Sequence, residues 1–95
     1  MKSKRILNTR QWLNPKSSSD TGAISVTATA EAYGVEAEVV IRDCARQITL
    51  DFSFCGKTEL KQRTVKLNKI ITDITRLRDS LPEAFEAYRE MKDDE

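Results

Sequence analysis

Gly22–Cys55 reads GAISVTATAEAYGVEAEVVIRDCARQITLDFSFC, and its alternation decides the fold. Ile24, Val26, Ala28, Ala30 and Ala32 fall on one side of an extended chain, and Ser25, Thr27, Thr29, Glu31 and Tyr33 on the other. Period-two alternation over this length predicts a half-buried strand. Tyr33-Gly34 predicts a tight turn, because glycine takes the positive φ that hairpin turns require. With those two residues as the loop, Ala32 faces Val35, Ala30 faces Ala37, Ala28 faces Val39 and Val26 faces Ile41. Glu31 then falls opposite Glu36, an unfavourable pair of like charges. With Cys44-Ala45 as the second loop, Ile41 faces Ile48, Val39 faces Leu50, Ala37 faces Phe52 and Val35 faces Phe54. Asp43 and Arg46 flank that turn as an opposite-charge pair. A slip of one residue would turn every apolar side chain to water. The opposite face, from Thr27 and Thr29 to Glu38, Arg42 and Asp51, is polar, as in an antiparallel sheet wet on one side.

Working outward, the periodicity changes after Gly56. Leu60, Leu67, Ile74 and Leu81 recur every seven residues, with Ile70, Ile71 and Leu77 between them. This predicts an amphipathic helix over 57–79. Ser80-Leu81-Pro82-Glu83 predicts a stop and restart, Ser80 capping and Pro82 sitting in the first turn of a short helix over 81–92. Ahead of the sheet, residues 1–11 are read as a basic arm or a short strand, and 14–22 as loop chemistry. The predicted class is α+β in a single domain, 1–95. It has a three-stranded antiparallel meander over 22–55, four-stranded if Gln11–Leu13 joins its edge. The long helix covers the apolar face, and the short helix follows.

The 95 residues carry 33% charged side chains but a net charge of only +1. The charge is polarised. Residues 1–16 hold five bases and no acid, and 57–78 hold seven bases and two acids. Residues 17–56 hold six acids and two bases, and 79–95 hold seven acids and two bases. No apolar run approaches the ~20 residues needed to cross a bilayer, and no apolar signal core follows the basic start. Cys44 and Cys55 would stand about 30 Å apart at ~3.4 Å per residue of strand, far beyond the ~7 Å a disulfide spans. Free thiols and a cytoplasmic location are expected.

The chain has no histidine, which removes the common nucleophile pairs and the commonest metal ligand. No catalytic, cofactor or metal residue is expected. Gly56-Lys57-Thr58 mimics the end of a phosphate-binding loop, but the glycine required five residues earlier is Asp51. Gly56 is read as the bend from strand to helix. The carboxylate neighbours Glu31, Glu36 and Glu38 are read as a solvated rim.

Two binding surfaces remain. For a protein partner, the candidates are Arg5, Arg10 and Trp12 on the arm and Glu83, Glu86 and Glu90 on the second helix. Regularly spaced carboxylates there could present phosphate-like charge to a DNA-binding groove. For nucleic acid, the candidates are Arg5, Arg10 and Lys16 with Lys61, Lys66 and Lys69, Trp12 stacking on a base. Against both, Trp12 is read first as a core residue. The seven-residue repeat is read first as sheet cover and second as a homodimer seam, where Arg63 would intrude. Monomer and homodimer both stay open.

Residues 8–22, NTRQWLNPKSSSDTG, resemble the opening of small proteins encoded in the early recombination region of lambdoid phages and prophages. Some of those are accessory factors acting against the host RecBCD exonuclease. The resemblance otherwise extends only loosely, to the strand–strand–strand–helix plan, and transfers no functional residue to a numbered position. It implies a non-enzymatic protein of the host cytoplasm that binds a nuclease, helicase or defence complex and inhibits or redirects it. The alternative is a dimeric nucleic-acid-binding accessory protein using the basic arm and helix.

Overall fold

The computed structural model describes residues 3–14, 22–43 and 45–93. Four strands and one helix follow in order: β1 (Lys4–Trp12), β2 (Gly22–Glu31), β3 (Gly34–Asp43), β4 (Arg46–Asp51) and α1 (Lys57–Asp93). The strands form one antiparallel sheet in the order β1-β2-β3-β4, which leaves β1 and β4 at the edges. Two compact units divide the chain, Met1–Arg63 and Thr64–Glu95.

The basic arm is itself a strand. Leu7 pairs with Ala28, Thr9 with Val26, Gln11 with Ile24 and Trp12 with Ala23. The register shifts between Arg5 and Leu7, making Ile6 the extra residue of a β-bulge. The alternation on either side of the bulge is out of phase, which left residues 1–11 readable as either arm or strand. Of the two readings of residues 1–11, basic arm or short strand, the strand is the one found, and it joins the sheet edge well beyond Gln11–Leu13. The Leu13 amide donates to the Gly22 carbonyl at 2.9 Å where the β1–β2 connection leaves the ladder.

The first hairpin is offset from its expected register by two residues. Ala30 pairs with Val35, Ala28 with Ala37, Val26 with Val39 and Ile24 with Ile41. The loop is Ala32-Tyr33 rather than Tyr33-Gly34, and Gly34 closes it opposite Glu31. A slip of two preserves every face. It also places Glu36 opposite Thr29, so the expected Glu31–Glu36 confrontation is relieved. Gly34 has φ +152°, and a Cβ there would stand 2.7 Å from the Phe54 carbonyl. Glycine is therefore required both by conformation and by close approach.

The second hairpin follows its predicted register, with Asp43 opposite Arg46, Ile41 opposite Ile48 and Val39 opposite Leu50. Beyond the ladder the Phe52 amide donates to the Ala37 carbonyl, and Val35 bridges Phe54. Cys44 of the expected loop lies outside the described residues; Cys55 is a free, exposed thiol.

Burial is sparse. Among the described residues, the buried hydrophobic side chains are Ala23 and Phe52, at 6% and 3% exposure. The apolar positions of β2 and β3 are half-buried.

One expectation about the helix is corrected. The stop at Ser80 does not occur: α1 runs unbroken for 37 residues with Pro82 inside it. Instead of capping a new helix, the Ser80 hydroxyl donates to the Arg76 carbonyl at 2.7 Å, one turn back. Val65, Ile71, Ile74, Leu77, Leu81 and Phe85 are each more than half exposed.

Candidate interaction surfaces

In an antiparallel ladder, paired residues share a face. Arg5, Asn8, Arg10 and Trp12 therefore lie on the face of Thr29, Thr27, Ser25 and Ala23. Glu36, Glu38, Val40 and Arg42 continue that face on β3. The face is electrostatically divided along its length.

At one end, the Arg10 guanidinium carbon stands 5.5 Å from the Trp12 ring centroid, a cation–π geometry. Trp12 is 72% exposed, which overturns its reading as core. The residue opposite it is Ala23, whose small side chain leaves the indole unenclosed. Arg42 lies across Ala23 and donates from Nε and Nη2 to Gln47 Oε1, at 3.3 and 2.8 Å. Arg10, Ala23, Ser25, Val40 and Arg42 line a shallow depression of 170 Å³. The result is a basic, aromatic end.

At the other end, Thr27, Thr29, Glu36, Glu38, Asp51 and Ser53 line a depression of 390 Å³. Asp51 accepts the Ser53 amide at 3.0 Å, and Ser53 Oγ accepts the Ala37 amide at 3.1 Å. The Tyr33 hydroxyl donates to Glu36, which pushes the phenol up to about 12 and keeps it protonated. Arg5 belongs to this acidic end, across Thr29 from Glu36, so β1 brings Arg10 and Trp12 together but sets Arg5 apart. Lys16 lies outside the described residues.

On α1, Lys61, Lys66 and Lys69 are exposed. Glu83, Glu86 and Glu90 are exposed as well, and their three- and four-residue spacing puts them along one side of the helix. Glu86 accepts from Arg89 at 3.1 Å, and the Arg89 guanidinium lies 5.9 Å from the Phe85 ring. The acidic stripe is thus partly neutralised at its centre.

The Gly56-Lys57-Thr58 run opens the helix. The Leu60 amide donates to the Gly56 carbonyl at 2.9 Å. Glu59 reaches back to accept from the Cys55 amide and thiol, at 3.3 and 3.1 Å. These donors hold the Glu59 carboxyl below its usual range, and the hydrogen bond with Glu59 pushes the Cys55 thiol up. Arg63 Nε donates to the Ser53 carbonyl at 3.0 Å. Sequence reading missed this joint, although the four-residue steps Cys55–Glu59–Arg63 were the signal available for it.

Among the described residues, no group of three or more His, Cys, Asp or Glu side chains could hold a metal ion. No helix there is long and apolar enough to cross a membrane. No family model matches the chain, and neither the curated proteins nor the solved structures provide a match.

Proposed function

We propose that this chain is a non-enzymatic interaction protein of the phage type, which binds a host DNA-processing or defence enzyme in the cytoplasm and inhibits or redirects it. The observation that carries this reading is Trp12, 72% exposed and capped by Arg10 on an edge strand. Burying a large indole on association yields a favourable free energy that the free chain forgoes. Tryptophan and arginine are also the side chains that most often dominate protein interfaces. Glu83, Glu86 and Glu90 add a carboxylate stripe able to meet the basic groove of a DNA-handling enzyme.

The test is degradation of linear DNA by the purified host exonuclease with and without the full chain, paired with direct binding by calorimetry. Inhibition is expected, and Trp12→Ala should weaken binding by at least ~10-fold, the effect of losing one hot spot. Unchanged nuclease activity and no heat of binding to nuclease, helicase or defence complexes would refute it.

A second reading is favoured by one specific feature. Arg10, Arg42 and Trp12 bring positive charge beside an exposed ring, as single-stranded nucleic acid requires. Trp12 is the sole tryptophan, so its fluorescence reports on that ring alone. Quenching by oligonucleotide that weakens steeply with salt would favour this alternative.

A further inference from the structure

We propose that two copies of this chain pair edge to edge through β4, antiparallel about a twofold axis at Thr49. The pairing does not depend on the role given above to Trp12.

The two edges of the sheet are built differently. β1 is broken by its bulge and carries Lys4, Arg5 and Arg10, devices that discourage strand addition. β4, with the sequence RQITLD, pairs with β3 without a bulge and holds neither lysine nor proline. Successive residues of an edge strand direct their backbone groups alternately inward and outward. The Phe52 amide donates to the Ala37 carbonyl, so the even-numbered residues here face β3. The odd-numbered ones, Gln47, Thr49, Asp51 and Ser53, face out. Ser53 is closed from within: its amide donates to the Asp51 carboxylate and its carbonyl accepts from Arg63 Nε, each at 3.0 Å. Gln47 and Thr49 are exposed and have no such closure among the described residues. The open edge is therefore a short segment with a defined end.

Register and charge select a second copy as the occupant. A twofold axis normal to the sheet keeps each face continuous, so paired residues must share parity. Centred on Thr49, the pairing sets Ile48, 53% exposed, against Leu50 of the second copy on the apolar face. On the polar face it sets Gln47 against Asp51 of the second copy. The Gln47 carboxamide nitrogen can donate there, its oxygen being taken by Arg42. Thr49 meets its own copy as a hydrogen-bonded pair. Centred on Ile48 instead, the charged Arg46 would oppose the apolar Leu50. The same axis reverses the divided polar face. The basic end of one sheet, where Arg42 lies, comes beside the acidic end of the other, where Glu36, Glu38 and Asp51 lie. A twofold pairing closes at two copies and leaves only the blunted β1 edges outermost. The seam spans about five residues a side, ~17 Å, and so belongs to the small, weakly associating class of interfaces.

The test is sedimentation equilibrium of the full chain up to ~1 mM, a range that reaches the weak affinities of so small a seam. The mass should approach twice the 10.8 kDa chain mass as concentration rises. Thr49→Pro removes an outward amide, a change that an edge strand tolerates, and should weaken pairing at least ~10-fold. Ile48→Lys sets a charge against Leu50 of the second copy and should weaken it by a similar factor, about 10-fold. Amide exchange in β2 and β3 checks that both variants keep the sheet. For register, Thr49→Cys with Cys44 and Cys55 changed to Ser should form a disulfide-linked dimer under oxidised glutathione, its Cα atoms ~5.5 Å apart. Gln47→Cys in the same background should not, because its two copies stand about 14 Å apart at ~3.4 Å per residue. A monomer at every concentration would overturn the proposal. A dimer indifferent to Thr49→Pro and Ile48→Lys would overturn it in favour of pairing through another surface. Cross-linking through Gln47→Cys in preference to Thr49→Cys would overturn the register.

Discussion

The β-sheet and the helix contain comparable apolar patterns but complete them differently. In the sheet, each strand supplies what its neighbour lacks: Ile24 meets Ile41, Val39 meets Leu50, and the backbone groups between them are paired. In α1, the backbone hydrogen bonds close along the helix itself, except where Pro82 lacks a donor, and Ile71, Ile74, Leu77 and Leu81 are each more than half exposed. A ladder cannot form without bringing its side chains together, whereas a helix closes its hydrogen bonds with no neighbour at all. The sheet is therefore specified from within, and the helix carries a pattern that points outside itself.

Substitutions can break or sharpen this contrast. The largest effect is expected at Phe52, 3% exposed in the sheet unit: Phe52→Ala should cost ~3–5 kcal/mol, read from the midpoint of urea unfolding. Pro82→Ala acts on the helix alone. It restores a donor to the Arg78 carbonyl and should stabilise α1 by up to ~3 kcal/mol, seen as stronger ellipticity at the helix band. Coupled gains in the stability of both units would mean that they unfold together. Gly34→Ala meets the Phe54 carbonyl at 2.7 Å and a φ that L residues avoid. It should cost ~1–3 kcal/mol and loosen the first hairpin, read by amide exchange.

The smallest effect is electrostatic and sits where strand gives way to helix. Glu59 titrates lower in the folded chain than in the unfolded one. Its contribution is therefore present above the ordinary glutamate range, near ~4.3, and is lost as pH falls through the lower folded value. Glu59→Gln should flatten the acid side of the helix stability profile below about pH 4. The same variant should raise the rate at which Cys55 reacts with a disulfide reagent near neutral pH in a Cys44→Ser background, because the carboxylate that disfavours the thiolate is gone.

What the sequence disclosed follows the same division. The faces of β2, β3 and β4 were legible because parity is a local property, readable from Ile24 to Phe54. The two-residue offset of the first hairpin was not, since parity is blind to even shifts and Tyr33-Gly34 suggested the commoner loop. β1 stayed open between arm and short strand because one inserted residue dephased it. The exposure of Trp12 was read only second, because an indole beside an apolar leucine is usually core, and the pairing with Ala23 leaves it open. The charge halves of α1 were plain in the sequence. The continuity of α1 was concealed by Ser80 and Pro82, whose chemistry imitates a helix boundary.

The irregularity at Ile6 has a consequence for how the molecule keeps company in a crowded cell. A flat outer strand offers its free amides and carbonyls to any passing chain, which is how fibres begin. Here that template is kinked after two residues, and Lys4, Arg5 and Arg10 stud it with cations. An incoming strand would meet both a broken rhythm and mutual repulsion. The chain can thus leave a tryptophan in water without becoming the seed of its own precipitate.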